Sequence, residues 1–132
     1  MVKLVRCSES VLKATRAIYT QENLTESQFS VLEALYHVGP MSQKELGKKI
    51  LKSKGNMTMV IDNLSKRRLV RCDQQISDKR FLLVQLTAQG RELIKRIFPE
   101  HAQSITKIMS GLTLEEQKTL AGLCKKLGLS AG

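Results

Sequence analysis

The run from Ser53 to Lys66, SKGNMTMVIDNLSK, combines short hydrogen-bonding side chains with cations on a helical repeat. Met57, Val60, Ile61 and Leu64 recur at i, i+3, i+4 and i+7, the spacing that gathers apolar side chains on one helix face and turns it toward a core. The opposite side offers Ser53, Lys54, Gly55, Asn56, Thr58, Met59 and Asn63, with Asp62 and Lys66 alongside. Amides and hydroxyls both donate and accept hydrogen bonds, and ammonium groups seek anions, so this face has the chemistry to read base edges and phosphates in a duplex groove. A polar face is also what any amphipathic helix turns to water. Its meaning therefore depends on the elements around it.

A second set of polar residues, Asp78, Lys79 and Arg80, closes a loop. In extended chain, positions i and i+2 share a face, so the Asp78 carboxylate can hold the Arg80 guanidinium in one orientation. Taken alone, this is a solvated pair contributing under about 1 kcal/mol.

Other chemistry finds little support. His37 and His101 are single and separated, and the chain has no nucleophile motif, phosphate-cradling glycine loop or His-Glu zinc helix, so we expect neither an enzyme nor a cofactor. Cys7, Cys72 and Cys124 lack the paired spacing of a zinc site and fall within apolar patterns, which predicts buried, inert, reduced thiols. No secretory signal and no 18-residue apolar run is found, which predicts a cytoplasmic protein with no membrane partner.

The positioning elements must come from one folding unit, since 132 residues at 42% hydrophobic suffice for a single core. With 4% aromatic residues and no Trp, that core is built from Leu, Ile, Val and Met, and stacking platforms for single strands are not expected. The net charge is +10, and residues 41–80 hold 11 Lys/Arg against 4 acids, a net of +7 around the candidate helix. Such a concentration attracts polyanions.

Leu4, Cys7, Val11, Ala14 and Ile18 form a narrow heptad-like seam, so the first helix should lie against another long helix, from this chain or from a second copy. Thr25 with Gln28 forms a capping box, and Gly39-Pro40 ends the helix it opens. Ser42 with Glu45 opens a short helix through Leu46 and Ile50, which stops near Leu51-Lys52 before Ser53 begins the next. Two short helices joined by a tight turn make a helix-turn-helix.

After Arg68 the apolar period becomes two. Residues 69–72 and 81–86 read as strands around the polar loop 73–80, a hairpin placed as a wing. Thr87 should cap a helix running to about Met109, kinked or split near Phe98 by Pro99. Thr113 with Glu116 should open a last helix lined by Leu120, Leu123, Cys124 and Leu127, ending before Gly128.

The strings Asp62-Asn63-Leu64, Arg68-Leu69-Val70-Arg71, Ser77-Asp78-Lys79-Arg80 and Leu86-Thr87-x-x-Gly90, in this order, resemble the MarR family of bacterial and archaeal winged-helix regulators over nearly the whole chain. The resemblance implies a mainly α fold with a small β-hairpin. In it, a winged helix-turn-helix (about 25–87) is flanked by dimerisation helices (about 1–22 and 88–128) within one domain, 1–132. It also implies a homodimer on a pseudo-palindromic duplex, acting as a repressor released by a small-molecule effector or a redox signal. Asp78, Lys79 and Arg80 would then be the wing tip, with Arg80 entering a minor groove. Met59 stands where relatives often carry an arginine, which implies a different base preference. The N-terminal helix is short beside the family pattern, which implies a weaker dimer or a different start site. Two alternatives remain open. One is a winged helix that binds only proteins, which would have no use for the +7. The other is a peroxide-sensing repressor built on Cys7, with Tyr19 and Tyr36 as its aromatic neighbours.

Overall fold

The computed structural model describes residues 1–50, 54–74 and 82–132. Helix α1 spans Val2–Thr20 and α2 Glu26–Val38. A short strand β1, Met41–Ser42, leads into α3, Gln43–Ile50, and α4, Lys54–Lys66. Strands β2, Val70–Gln74, and β3, Leu82–Leu86, form the hairpin, and α5, Ala88–Met109, and α6, Leu114–Ala131, complete the chain. The architecture is the expected one: mainly helical, with a helix-turn-helix and a wing.

Local signals account for most boundaries. The Thr25 hydroxyl accepts the Gln28 N–H at 3.1 Å while the Gln28 side chain accepts the Thr25 N–H at 3.0 Å, so two amide donors that the helix cannot satisfy are paired reciprocally. Thr113 and Glu116 repeat the arrangement at α6. Gly39 has φ 104°, a conformation that L side chains rarely adopt, and it stops α2. α1 and α4 end alike, in left-handed turns. Asn23 (φ 57°) and Arg68 (φ 60°) reverse the chain, so that Leu24 N–H reaches the Tyr19 carbonyl at 3.1 Å and Leu69 N–H the Leu64 carbonyl at 3.0 Å.

Met57, Ile61 and Leu64 of α4 are buried, as their spacing requires, and pack with Leu32, Leu35, Leu46, Val70, Val84 and Ile94 in one core. Each such side chain contributes about 1.5–3 kcal/mol on burial. Val60 is packed at the core's edge.

Four expectations need correction. The sheet has three strands, ordered β1-β3-β2, because Met41 and Ser42 pair with Val84 and Leu83; two residues are too short to show an alternation. β2 starts at Val70 and extends into the expected loop as far as Gln74, held by the antiparallel register from Val70↔Leu86 to Gln74↔Leu82. Pro99 does not split α5. It and Lys95, whose carbonyl loses its N–H partner, are both exposed, so water can satisfy that carbonyl. Finally, α6 continues past Gly128, which costs about 1 kcal/mol inside a helix but stops one only when it turns left-handed.

The thiols also differ from expectation, for Cys7, Cys72 and Cys124 are all exposed. Cys7 and Cys124 lie on helix faces that this chain does not cover. On α1 only Val11 and Ile18 of the seam are partly enclosed, while Leu4 and Cys7 stand in solvent, and on α6 Leu120, Leu123 and Leu127 are exposed. Among the described residues, no helix is long and apolar enough to cross a membrane.

Candidate nucleic-acid interface

α4 is carried on the surface of the helix-turn-helix by its buried stripe, which leaves its other residues outward. Asn56, Thr58, Met59 and Asn63 are exposed, as are Asp62 and Lys66. Helical geometry puts Met59, Asp62 and Lys66 along the centre of the outer face, with Asn56 and Asn63 on one flank and Thr58 on the other. Met59 is 65% exposed, an apolar side chain at the middle of a polar surface. It can contact a thymine methyl but cannot donate a hydrogen bond to guanine. Lys54 and Gly55 belong to the first turn of α4, and Ser53 lies outside the described residues.

Thr58 is tied into the motif, because Gln43, the first residue of α3, donates from Nε2 to its hydroxyl at 2.5 Å. Sequence reading missed Gln43, since a contact between two helices leaves no periodic trace. Lys44, Lys48 and Lys49 extend from the exposed side of α3 and add positive charge beside α4.

The wing's Asp78, Lys79 and Arg80 lie outside the described residues. Its stem carries a comparable pair. On β2, Arg71 Nε meets the Asp73 carboxylate at 3.1 Å, and Gln85, opposite Arg71 on β3, donates to that carboxylate as well. One anion thus holds a cation on the hairpin's exposed face. Beside it, partial desolvation of the thiol and the nearby charges of Asp62 and Asp73 raise Cys72 above its ordinary range, which keeps it protonated.

A clamp joins α4, the wing and α5. The Thr87 hydroxyl donates to the Arg68 carbonyl at 2.6 Å and accepts the Gly90 N–H at 3.0 Å, while the Thr87 N–H reaches the Leu69 carbonyl at 3.1 Å. Gly90 lies so close that an added Cβ would stand 1.9 Å from the Leu69 carbonyl oxygen. The Leu-Thr-x-x-Gly string is therefore a packing requirement where the wing returns to the helices.

Behind the helix-turn-helix, a chain of rings links α1, α2 and α5. Tyr19 stacks on Phe29 at 5.2 Å between centroids, Phe29 meets His101 at 4.7 Å, and Phe98 meets His37 at 4.4 Å. The Tyr19 hydroxyl and His101 Nδ1 are buried with no hydrogen-bond partner among the described residues. Tyr19 belongs to this cluster, about three turns along α1 from Cys7, and so is not that cysteine's neighbour within the chain. Among the described residues no cluster of His, Cys, Asp or Glu could hold a metal ion.

The MarR family pattern matches residues 24–81, from the turn before α2 to just short of β3. The chain is 37% identical to the Bacillus subtilis HTH-type transcriptional regulator YkoM, over 83% of this chain and 71% of that one. It is 35% identical to the B. subtilis HTH-type transcriptional regulator MhqR, over 84% of this chain and 77% of that one. Among solved structures, that of Bordetella bronchiseptica BpsR, described as showing regulation of DNA binding by 6-hydroxynicotinic acid, superposes with a TM-score of 0.84 at 27% identity. The superposition covers 95% of this chain and 89% of that one. With the helix-turn-helix, the three-stranded wing sheet and the Thr87–Gly90 clamp in the same chain, the protein belongs to the MarR family of transcriptional regulators.

Proposed function

We propose that the protein is a homodimeric, sequence-specific repressor that binds duplex DNA and is released by a small aromatic effector. The observation that carries the DNA reading is the exposed face of α4, with Asn56, Thr58, Met59 and Asn63 raised on a buried stripe inside a stretch of net charge +7. The proposed contacts also take in Ser53, Lys54 and Gly55, and Asp78, Lys79 and Arg80. In this reading no residue performs catalysis.

Uncovered apolar faces support the dimer. Val2, Leu4 and Val5 at the start of α1 and Leu123, Leu127 and Leu129 on α6 are exposed, more than a lone water-soluble chain normally leaves on its terminal helices. The effector reading rests on the aromatic cluster, where the Tyr19 hydroxyl and His101 Nδ1 offer unpaired hydrogen-bonding atoms among rings, and on BpsR, whose DNA binding 6-hydroxynicotinic acid regulates. Cys7 sustains a redox signal as a second reading because it is exposed.

Selection of bound sequences from a random duplex library tests the proposal. We expect a pseudo-palindrome with half-sites about 10 base pairs apart and affinity that falls steeply with salt. Uniform recovery of all sequences at every salt concentration would refute it, leaving the protein-only module.

A further inference from the structure

The end of α4 reaches the helices behind it through one side chain. Arg67 sits at the turn that closes α4, and both terminal nitrogens of its guanidinium point away from that helix. Nη1 donates to the Asn23 carbonyl at 2.8 Å and Nη2 to the Glu22 carbonyl at 2.9 Å. Both carbonyls belong to the left-handed turn that closes α1. A helix C-terminus concentrates partial negative charge, so a planar cation there makes two charge-assisted bonds at once. Glu22 faces a second arginine, since Arg96 of α5 meets its carboxylate at 2.6 Å and holds it below the usual glutamate range. Three elements distant in sequence therefore converge on Glu22, with α4 bound to its carbonyl and α5 to its side chain.

An open cleft of about 370 Å³ lies beside this junction, floored by Leu69 and Leu93 and rimmed by Glu22, Arg67, Glu92 and Arg96. Arg67 and Arg96 are both exposed, so while the shared core seats α4, the direct tie between its end and the turn after α1 is one of hydrogen bonds. Exposed charged pairs contribute little stability. A planar fork on two fixed carbonyls does restrict direction, and direction matters when two recognition helices must enter successive major grooves together.

We infer that Arg67 is a positioning residue for DNA recognition, whose fork on the Glu22 and Asn23 carbonyls, with Glu22 held by Arg96, sets the angle of α4 against the helices that pair the protomers. The inference rests on the DNA-binding reading. Lysine cannot take the role, because a single ammonium lacks the planar two-point geometry.

The test measures affinity of wild type, Arg67→Ala and Arg67→Lys for the selected duplex and for versions with the half-sites one base pair closer or further apart, over a range of salt. Both variants should lose about tenfold on the selected duplex. Both should also discriminate less between spacings, while keeping the wild-type salt slope, weak binding to unrelated DNA and helical circular dichroism. Arg96→Gln should show a smaller loss of the same kind. Recovery of full affinity by Arg67→Lys, with a salt slope about one unit shallower in Arg67→Ala, would make Arg67 a phosphate contact and overturn the inference. Wild-type affinity and spacing preference in both variants would reduce the junction to a surface pair, with the DNA reading intact. A wild type that binds no duplex would overturn both.

Discussion

At single residues, the structure separates side chains that hold the fold from those available for contact. Arg68 is the sharpest case of the first kind, since it occupies a left-handed turn at φ 60° where an L side chain costs about 1 kcal/mol or more. Arg68→Gly should therefore raise stability by about 0.5–1 kcal/mol, read as a higher midpoint in urea; a lower midpoint would mean that the arginine makes a compensating contact. Gly90→Ala should do the opposite, because its Cβ would collide with the Leu69 carbonyl, and we expect a loss of about 3 kcal/mol or failure to fold. Asn56 lies on the exposed face of α4. Asn56→Ala should weaken specific binding by about 1–3 kcal/mol while leaving binding to unrelated DNA nearly unchanged. An unaltered selected consensus would show that this flank of α4 does not read bases. The residues of α4 were legible in sequence because four apolar side chains at helical spacing fix which side is outward. Arg67 and Gln43 were not legible, since their partners are backbone carbonyls and a hydroxyl on other elements, and such contacts leave no pattern along the chain.

Among the elements, local chemistry decided what could be read. Capping boxes at Thr25 and Thr113 complete themselves within one turn, so sequence placed α2 and α6 without tertiary information. β1 escaped because a two-residue strand is defined only by its partner β3, and Gly128 misled because its effect depends on a backbone angle that composition does not reveal. The expectation of buried cysteines failed for a related reason: an apolar pattern marks a face to be covered without saying which molecule covers it. The tie between α1 and α5 has a predictable pH dependence. Hydrogen bonding and charge from Arg96 hold Glu22 below its unfolded value, so its contribution is present above the ordinary glutamate range and is lost as pH falls through the lowered folded value. Stability of the wild type should thus decline toward acid more steeply than that of Glu22→Gln; parallel acid limbs would show that water screens the pair. Thr87 joins three elements at once through bonds to Arg68, Leu69 and Gly90. Thr87→Val should cost about 1–2 kcal/mol, part of it the lost helix cap, and overlaid urea unfolding curves would count against the clamp.

For the whole molecule, the question is what covers the apolar faces of α1 and α6. Leu123 is 59% exposed and Leu127 55%, and they stand one turn apart on α6, so both face the same direction. An exposed leucine here has little burial within this chain to lose, whereas one enclosed by a second copy loses about 1.5–3 kcal/mol of burial and places any new charge in an apolar seam. Leu123→Asp should therefore act on association before it acts on the chain's own core. We expect wild type to sediment as a dimer at micromolar concentration and Leu123→Asp to shift toward monomer, with greater loss on the two-half-site duplex than on a single half-site. That difference follows from linkage. A dimer places its second recognition helix near the second half-site without a further bimolecular encounter, and a monomer forfeits this gain while keeping its own base contacts. The outcomes are separable because the α4 face is distant in sequence from the substitution. Wild-type sedimentation with wild-type affinity would mean that another surface joins the protomers, and a monomeric wild type with tight binding to a single half-site would remove the dimer from the mechanism altogether.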